Sequence, residues 1–125
     1  MRYTLLLYYP DMRSSGKLTP EEMEEGRNAF EAFAKALDDA GVLVSGTMMA
    51  KDPDAKTVRM LDEAPVVVDG PAVQLVDPLG GAIMIDVPDE ATAIDWAMKA
   101  PSLDWGPVEV RSTMARYVDG AWMPG

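Results

Sequence analysis

The sequence predicts a single α+β domain built on the ferredoxin-like β-α-β-β-α-β order, with an extra hairpin inserted. Three observations predict it. Strand-like and amphipathic helical segments alternate in that order. The first strand segment is apolar on both faces, as a central strand covered on both sides should be. The 125 residues are 48% apolar, enough for one hydrophobic core without disulfides or metal. No repeat, linker or low-complexity stretch divides residues 1–125.

Residues 2–9 are rich in the aromatic and aliphatic side chains that strands favour. Tyr3, Leu5, Leu7 and Tyr9 fall on one face, and Arg2, Thr4, Leu6 and Tyr8 on the other. The same opening lacks the long apolar run and small-residue cleavage site of a signal sequence, so it is expected to be the first strand of a cytoplasmic protein. Asp11 to Lys17 is polar and reads as a loop.

Thr19-Pro20-Glu21-Glu22 opens the first helix. Thr19 can cap, Pro20 suits the first helical position, and Glu22 closes a capping box. Met23, Phe30, Phe33, Ala34 and Leu37 recur at helical spacing, Glu31 and Lys35 form an outer pair, and Gly41 stops the helix. Val42 to Gly46 is a second strand, with an extension through Met48 and Met49, and Lys51 to Asp54 is a loop. Thr57 to Leu61 and Val66 to Asp69 form a hairpin around Asp62-Glu63-Ala64, ended by Gly70-Pro71.

Residues 72–79 carry no period. Gly80 to Val87 reads as a buried strand, and its glycine pair is expected to let backbone approach another element closely. Pro88-Asp89-Glu90 starts a second helix with Ile94, Ala97 and Met98 facing inward, ended by Pro101. Val108 to Arg111 alternates as a half-buried strand. Ala115 to Val118 is a last strand, followed by a turn at Asp119-Gly120 and by Trp122.

Composition excludes several functions. With 21 acidic and 11 basic residues the net charge is -10, which disfavours nucleic acid and anionic membranes. There is no Cys, hence no thiol nucleophile, disulfide or thiolate metal site. There is no His, which removes Ser-His-Asp chemistry and ordinary zinc or haem ligation. No apolar run is long enough to span a bilayer. No cofactor is expected.

Several segments resemble the DGPF (YCII-related) family. These are Leu18-Thr19-Pro20-Glu21-Glu22, the junction Ala40 to Gly46, Val68-Asp69-Gly70-Pro71, Leu79-Gly80-Gly81 with the strand ending at Asp86, Ala93 to Ala97, and Val108 to Arg111. They run in order from about residue 2 to 111, leaving residues 112–125 as a C-terminal extension. The resemblance implies a dimeric α+β barrel, in which two such sheets pack face to face in a homodimer. A sheet apolar on both faces needs that second cover; residues 112–125 or the long loop are the alternative cover. The signature Phe is Ala72 here, and Val73-Gln74-Leu75-Val76 replaces the charged residues that usually follow. A related branch uses a His with an Asp, which this chain cannot supply. Some family members are linked to sigma factors of the extracytoplasmic-function type, which implies a regulatory partner by resemblance alone.

The candidate site residues are few. Asp69 ends a strand before a glycine and is the candidate acid, base or anchor for a substrate hydroxyl or amine. An Asp in that context also commonly accepts backbone N–H bonds in a turn. Tyr8, Tyr9 and Arg59 are candidate binding residues for the same cleft; aromatic packing and a solvated strand position are the alternatives. Asp52, Asp54, Asp62 and Glu63 lack EF-hand spacing, so no metal is expected. Met48-Met49, Trp96 and Trp122 are either core or cover residues or contact anchors. Two functions follow: a homodimeric accessory module that binds a small molecule or a protein, and a cofactor-independent lyase or isomerase acting on a small polar organic molecule through Asp69.

Overall fold

In a computed structural model, which describes residues 1–10, 18–50 and 54–125, the predicted order is present. The elements are β1 (Arg2–Tyr8), α1 (Pro20–Asp39), β2 (Leu43–Met48), β3 (Lys56–Leu61), β4 (Ala64–Asp69), β5 (Leu79–Asp86), α2 (Glu90–Ala97), β6 (Val108–Ser112), β7 (Ala115–Val118) and β8 (Ala121–Pro124). The main sheet has the order β2-β5-β1-β6, with every pairing antiparallel. Two helices separating these four strands give the ferredoxin-like α+β fold. Among the described residues β3 pairs only with β4, and β7 only with β8. The loop expected at Asp11 to Lys17, and residues 51–53 of the loop expected at Lys51 to Asp54, lie outside the described residues.

β1 lies inside the sheet, and its alternation is as its sequence dictates. Tyr3, Leu5 and Leu7 are buried, joining Phe33 and Leu37 of α1, Ile83 and Ile85 of β5, and Ala93 and Ala97 of α2 in one core. Arg2, Thr4, Leu6 and Tyr8 point to the second face and are only half-buried, as are Ala82 and Met84 of β5. One face of the sheet is thus covered by helices, and the other is not fully covered by this chain.

Both ends of α1 follow local chemistry. The Glu22 amide donates to Thr19 Oγ1 at 3.1 Å, and the Thr19 amide donates to Glu22 Oε1 at 3.2 Å, completing the capping box. Gly41 has φ 72°; its amide donates to Asp38 and that of Val42 to Leu37, so the helix ends in a Schellman motif. Lys35 bonds Asp39 at 2.7 Å rather than Glu31: it has a carboxylate four residues to either side and takes the later one.

Three expectations need correction. The β3–β4 turn is the pair Asp62-Glu63, both at positive φ, so Ala64 and Pro65 belong to β4. Pro65 is tolerated because it faces Met60, at a pair beside the hydrogen-bonded closing pair Leu61–Ala64, where no ladder N–H is needed. On α2 the buried residues are Ala93 and Ala97, with Ala100 beyond its end, whereas Ile94 and Met98 are exposed. Small side chains let the helix lie close to β1 and β6, which turns the larger ones to its flank. The tail holds a second strand: β7 and β8 form a hairpin around Asp119-Gly120, and Trp122 meets Tyr117 edge-on at 5.5 Å while remaining exposed.

Candidate functional site

The Asp69-Gly70-Pro71-Ala72 segment is held from β3. Lys56 Nζ bonds Asp69 Oδ1 at 2.7 Å, Thr57 Oγ1 donates to the Gly70 carbonyl at 2.8 Å, and Arg59 Nη2 donates to the Ala72 carbonyl. The Gly70 amide closes the turn onto the Ala55 carbonyl. Hairpin pairing produces this ladder: Lys56 and Thr57 face Asp69 and Val68, so their side chains reach the chain as it leaves β4. Asp69 is 86% exposed in that ion pair, and it lines neither of the two clefts described below. Arg59 serves the same exit turn.

Tyr8 and Tyr9 part company. The Tyr9 ring lies over Gly80 and packs on Phe30 at 6.0 Å, and its hydroxyl donates to the Gly80 carbonyl at 2.9 Å. That is the close approach expected of the glycine pair. Tyr8 points to the half-covered face and lines an open cleft of about 360 Å³ with Leu75, Val76, Asp77, Pro107 and Glu109. The backbone fixes this corner: the Tyr8 amide donates to the Pro107 carbonyl at 3.0 Å, and Gly106 lies against the Tyr8 carbonyl with no room for a Cβ.

The cleft therefore combines one phenol, two carboxylates and an apolar wall. Arg111 Nη1 donates to Glu109 Oε2 at 3.0 Å, offsetting one of the negative charges. Such a lining accepts hydrogen bonds and suits a small molecule bearing hydroxyl or amine donors. Of the four sequence candidates only Tyr8 reaches it. Glu109 was legible as the outward member of an alternating strand, and its register against Leu6 places it on the Tyr8 side. Asp77 sits in the aperiodic segment and gave no signal. A second, apolar groove of about 260 Å³ runs beside β6 and is lined by Ile94, Ala97, Met98, Leu103, Val108 and Val110.

Of the remaining candidates, Asp54, Asp62 and Glu63 are exposed, and Asp52 lies outside the described residues. Trp96 is half-buried against the core with Lys99 Nζ 4.7 Å above its ring, so it covers its own sheet. Met48 and Met49 are exposed at the end of β2. Among the described residues no helix is long and apolar enough to cross a membrane.

Comparison with known proteins adds the following. The model of a family described as YCII-related domain matches residues 1–115. No curated protein sequence matches the chain. Among solved structures, 5-chloro-2-hydroxyhydroquinone dehydrochlorinase from Burkholderia phenoliruptrix, in complex with 2,5-dihydroxybenzoquinone, is similar with a TM-score of 0.49 and 10% identity, over 90% of this chain and 92% of that one.

Proposed function

From the premise that this chain belongs to the YCII-related domain family, we propose that it is a cytoplasmic homodimeric accessory module that binds a small molecule against the half-covered face of its sheet. The observation that carries this reading is the position of Tyr8: a face bearing Leu6 and Met84 runs at Tyr8 into a cleft lined by Asp77 and Glu109. Leaving such a face half in water forgoes roughly 25 cal/mol for each Å² that a second copy would cover. A second copy would also turn the open cleft into an enclosed one. The exposed side of the β3–β4 hairpin, carrying Val58, Met60, Pro65 and Val67, adds an apolar surface of the kind an accessory protein presents to a partner. An extracytoplasmic-function sigma factor is the partner class that family resemblance suggests.

The enzymatic alternative is a cofactor-independent lyase or isomerase with Asp69 as acid or base. It asks for an enclosed carboxyl, so the second subunit would have to close over Asp69 and displace Lys56.

Sedimentation equilibrium at micromolar concentration tests the dimer, and a single-subunit mass there would sink it. A thermal-shift screen of small polar metabolites tests the site. A ligand of the cleft stabilises wild type and Asp69→Ala equally and stabilises Tyr8→Phe less; loss of the response in Asp69→Ala alone would favour the enzyme.

A further inference from the structure

On the half-covered face the strand registers set out rows across the sheet. Thr4 stands in one row with Met84 and Arg111, and Leu6 in the next with Ala82 and Glu109. Between these two rows runs a third, Ile83, Leu5 and Val110, whose side chains turn to the core under the helices. It is the middle of the sheet, because Leu5 is the central residue of β1 and Val110 that of β6.

Opposite charges therefore flank the middle row. Arg111 lies on one side of it and Glu109 on the other, bonded to each other at 3.0 Å, with 70% and 44% of their side chains exposed. They sit on an edge strand, while the apolar Leu6, Ala82 and Met84 sit on the inner strands. Apolar at the centre and charged at the rim is the layout of a protein interface.

A second copy, turned by a two-fold axis that runs across the strands along the Leu5 row, meets this face with its rows reversed and each strand over its counterpart. Arg111 then faces Glu109 across the contact, twice. The other face-to-face two-fold, along the strands, lays β6 over β2, whose Ser45 and Thr47 carry no counter-charge. It also sets Arg2 over Asp86, which the Met1 ammonium already holds at 3.0 Å. Charge thus favours the crosswise axis. A pattern complementary to its own reverse fits another copy of this chain.

Resting on the homodimer proposed above, we infer that the second subunit supplies a residue to the Tyr8 cleft, namely the partner's Arg111. Glu109 lines that cleft. It accepts from its own Arg111 and from the partner's Arg111, so Asp77 is the carboxylate left to meet a ligand.

The test is sedimentation equilibrium of two charge reversals, alone and mixed. Arg111→Glu sets two carboxylates against two, and Glu109→Arg sets two guanidinia against two. Each alone is expected to raise the dimer dissociation constant by roughly tenfold or more, since symmetry counts every reversal twice. Mixed in equal amounts, they are expected to recover most of that loss as a heterodimer. A pair that acts only within one subunit cannot be repaired by mixing. Variants that each dimerise as wild type does, or a mixture no tighter than its parts, overturn the arrangement and leave the dimer standing. A single-subunit mass for wild type removes the dimer and the arrangement together. Should either reversal fail to fold, Arg111→Gln and Glu109→Gln replace the pair. Their costs to the dimer constant should overlap rather than add, and additive or absent costs overturn the arrangement.

Discussion

The Tyr9 hydroxyl donates to the Gly80 carbonyl at 2.9 Å while the Tyr9 ring fills the space that a side chain at position 80 would need. One residue thus locks the start of β5 through both a bond and a steric fit. Gly80→Ala is expected to cost about 1–3 kcal/mol in urea unfolding, from overpacking. Tyr9→Phe is expected to cost about 1 kcal/mol, the net worth of one hydrogen bond. With Tyr9→Leu as background, Gly80→Ala should cost less than it does alone, and simple additivity would show that the two residues are not in steric conflict.

Gly106 makes a harder contact, because the neighbour is backbone. A Cβ there would collide with the Tyr8 carbonyl. Gly106→Ala is expected to destabilise by about 3 kcal/mol, the upper part of the range for overpacking. It should also displace Pro107 and abolish any ligand response of the Tyr8 cleft. A variant of wild-type stability would show that the turn before β6 relaxes freely.

Ser102 is fully buried and its hydroxyl has no hydrogen-bond partner among the described residues. Ser102→Ala removes a polar group that gains nothing from its surroundings. The variant should match wild type or exceed it by about 1 kcal/mol. A loss of stability on chemical denaturation would reveal a partner for the hydroxyl.

The hydrogen bond from the Met1 ammonium, followed by its charge, holds the Asp86 carboxyl below its ordinary value of 3.8. A carboxyl lowered in the folded state stabilises the fold above its unfolded value, and the contribution disappears as pH falls through the folded value. Asp86→Asn should therefore melt below wild type near neutral pH, with the gap closing only in acid below 3.8. A gap independent of pH would assign the loss to packing.

Much of the architecture was legible because single residues announce it. Thr19 with Glu22 marks the start of α1 and Gly41 its end, and the apolar character of both faces of β1 marks it as an inner strand, though only its Tyr3-Leu5-Leu7 face is buried. What misled was size. Ile94 and Met98 look like the inner face of α2, yet alanines occupy it because the helix lies close on the sheet. At the site, Tyr8 could be read from its side of β1. Asp77 could not, because residues 72–79 have no period, and only the fold brings Asp77 beside Gly106 and Tyr8. Asp69 was judged by sequence neighbours, whereas pairing in the hairpin gives it Lys56 as its partner.

The hairpin of β3 and β4 is fastened mainly to itself. Its strands pair with each other, its side-chain bonds run to its own exit turn, and among the described residues no other element packs closely on it. Arm and body therefore have separate opening free energies. In one protein subunit the arm is the part that local unfolding releases first. Amide hydrogen exchange should run well ahead at Val58 and Val67 of that at Leu5 and Ile85. Whatever docks on the arm would be felt there as slowed exchange while the rest of the molecule keeps its own rate.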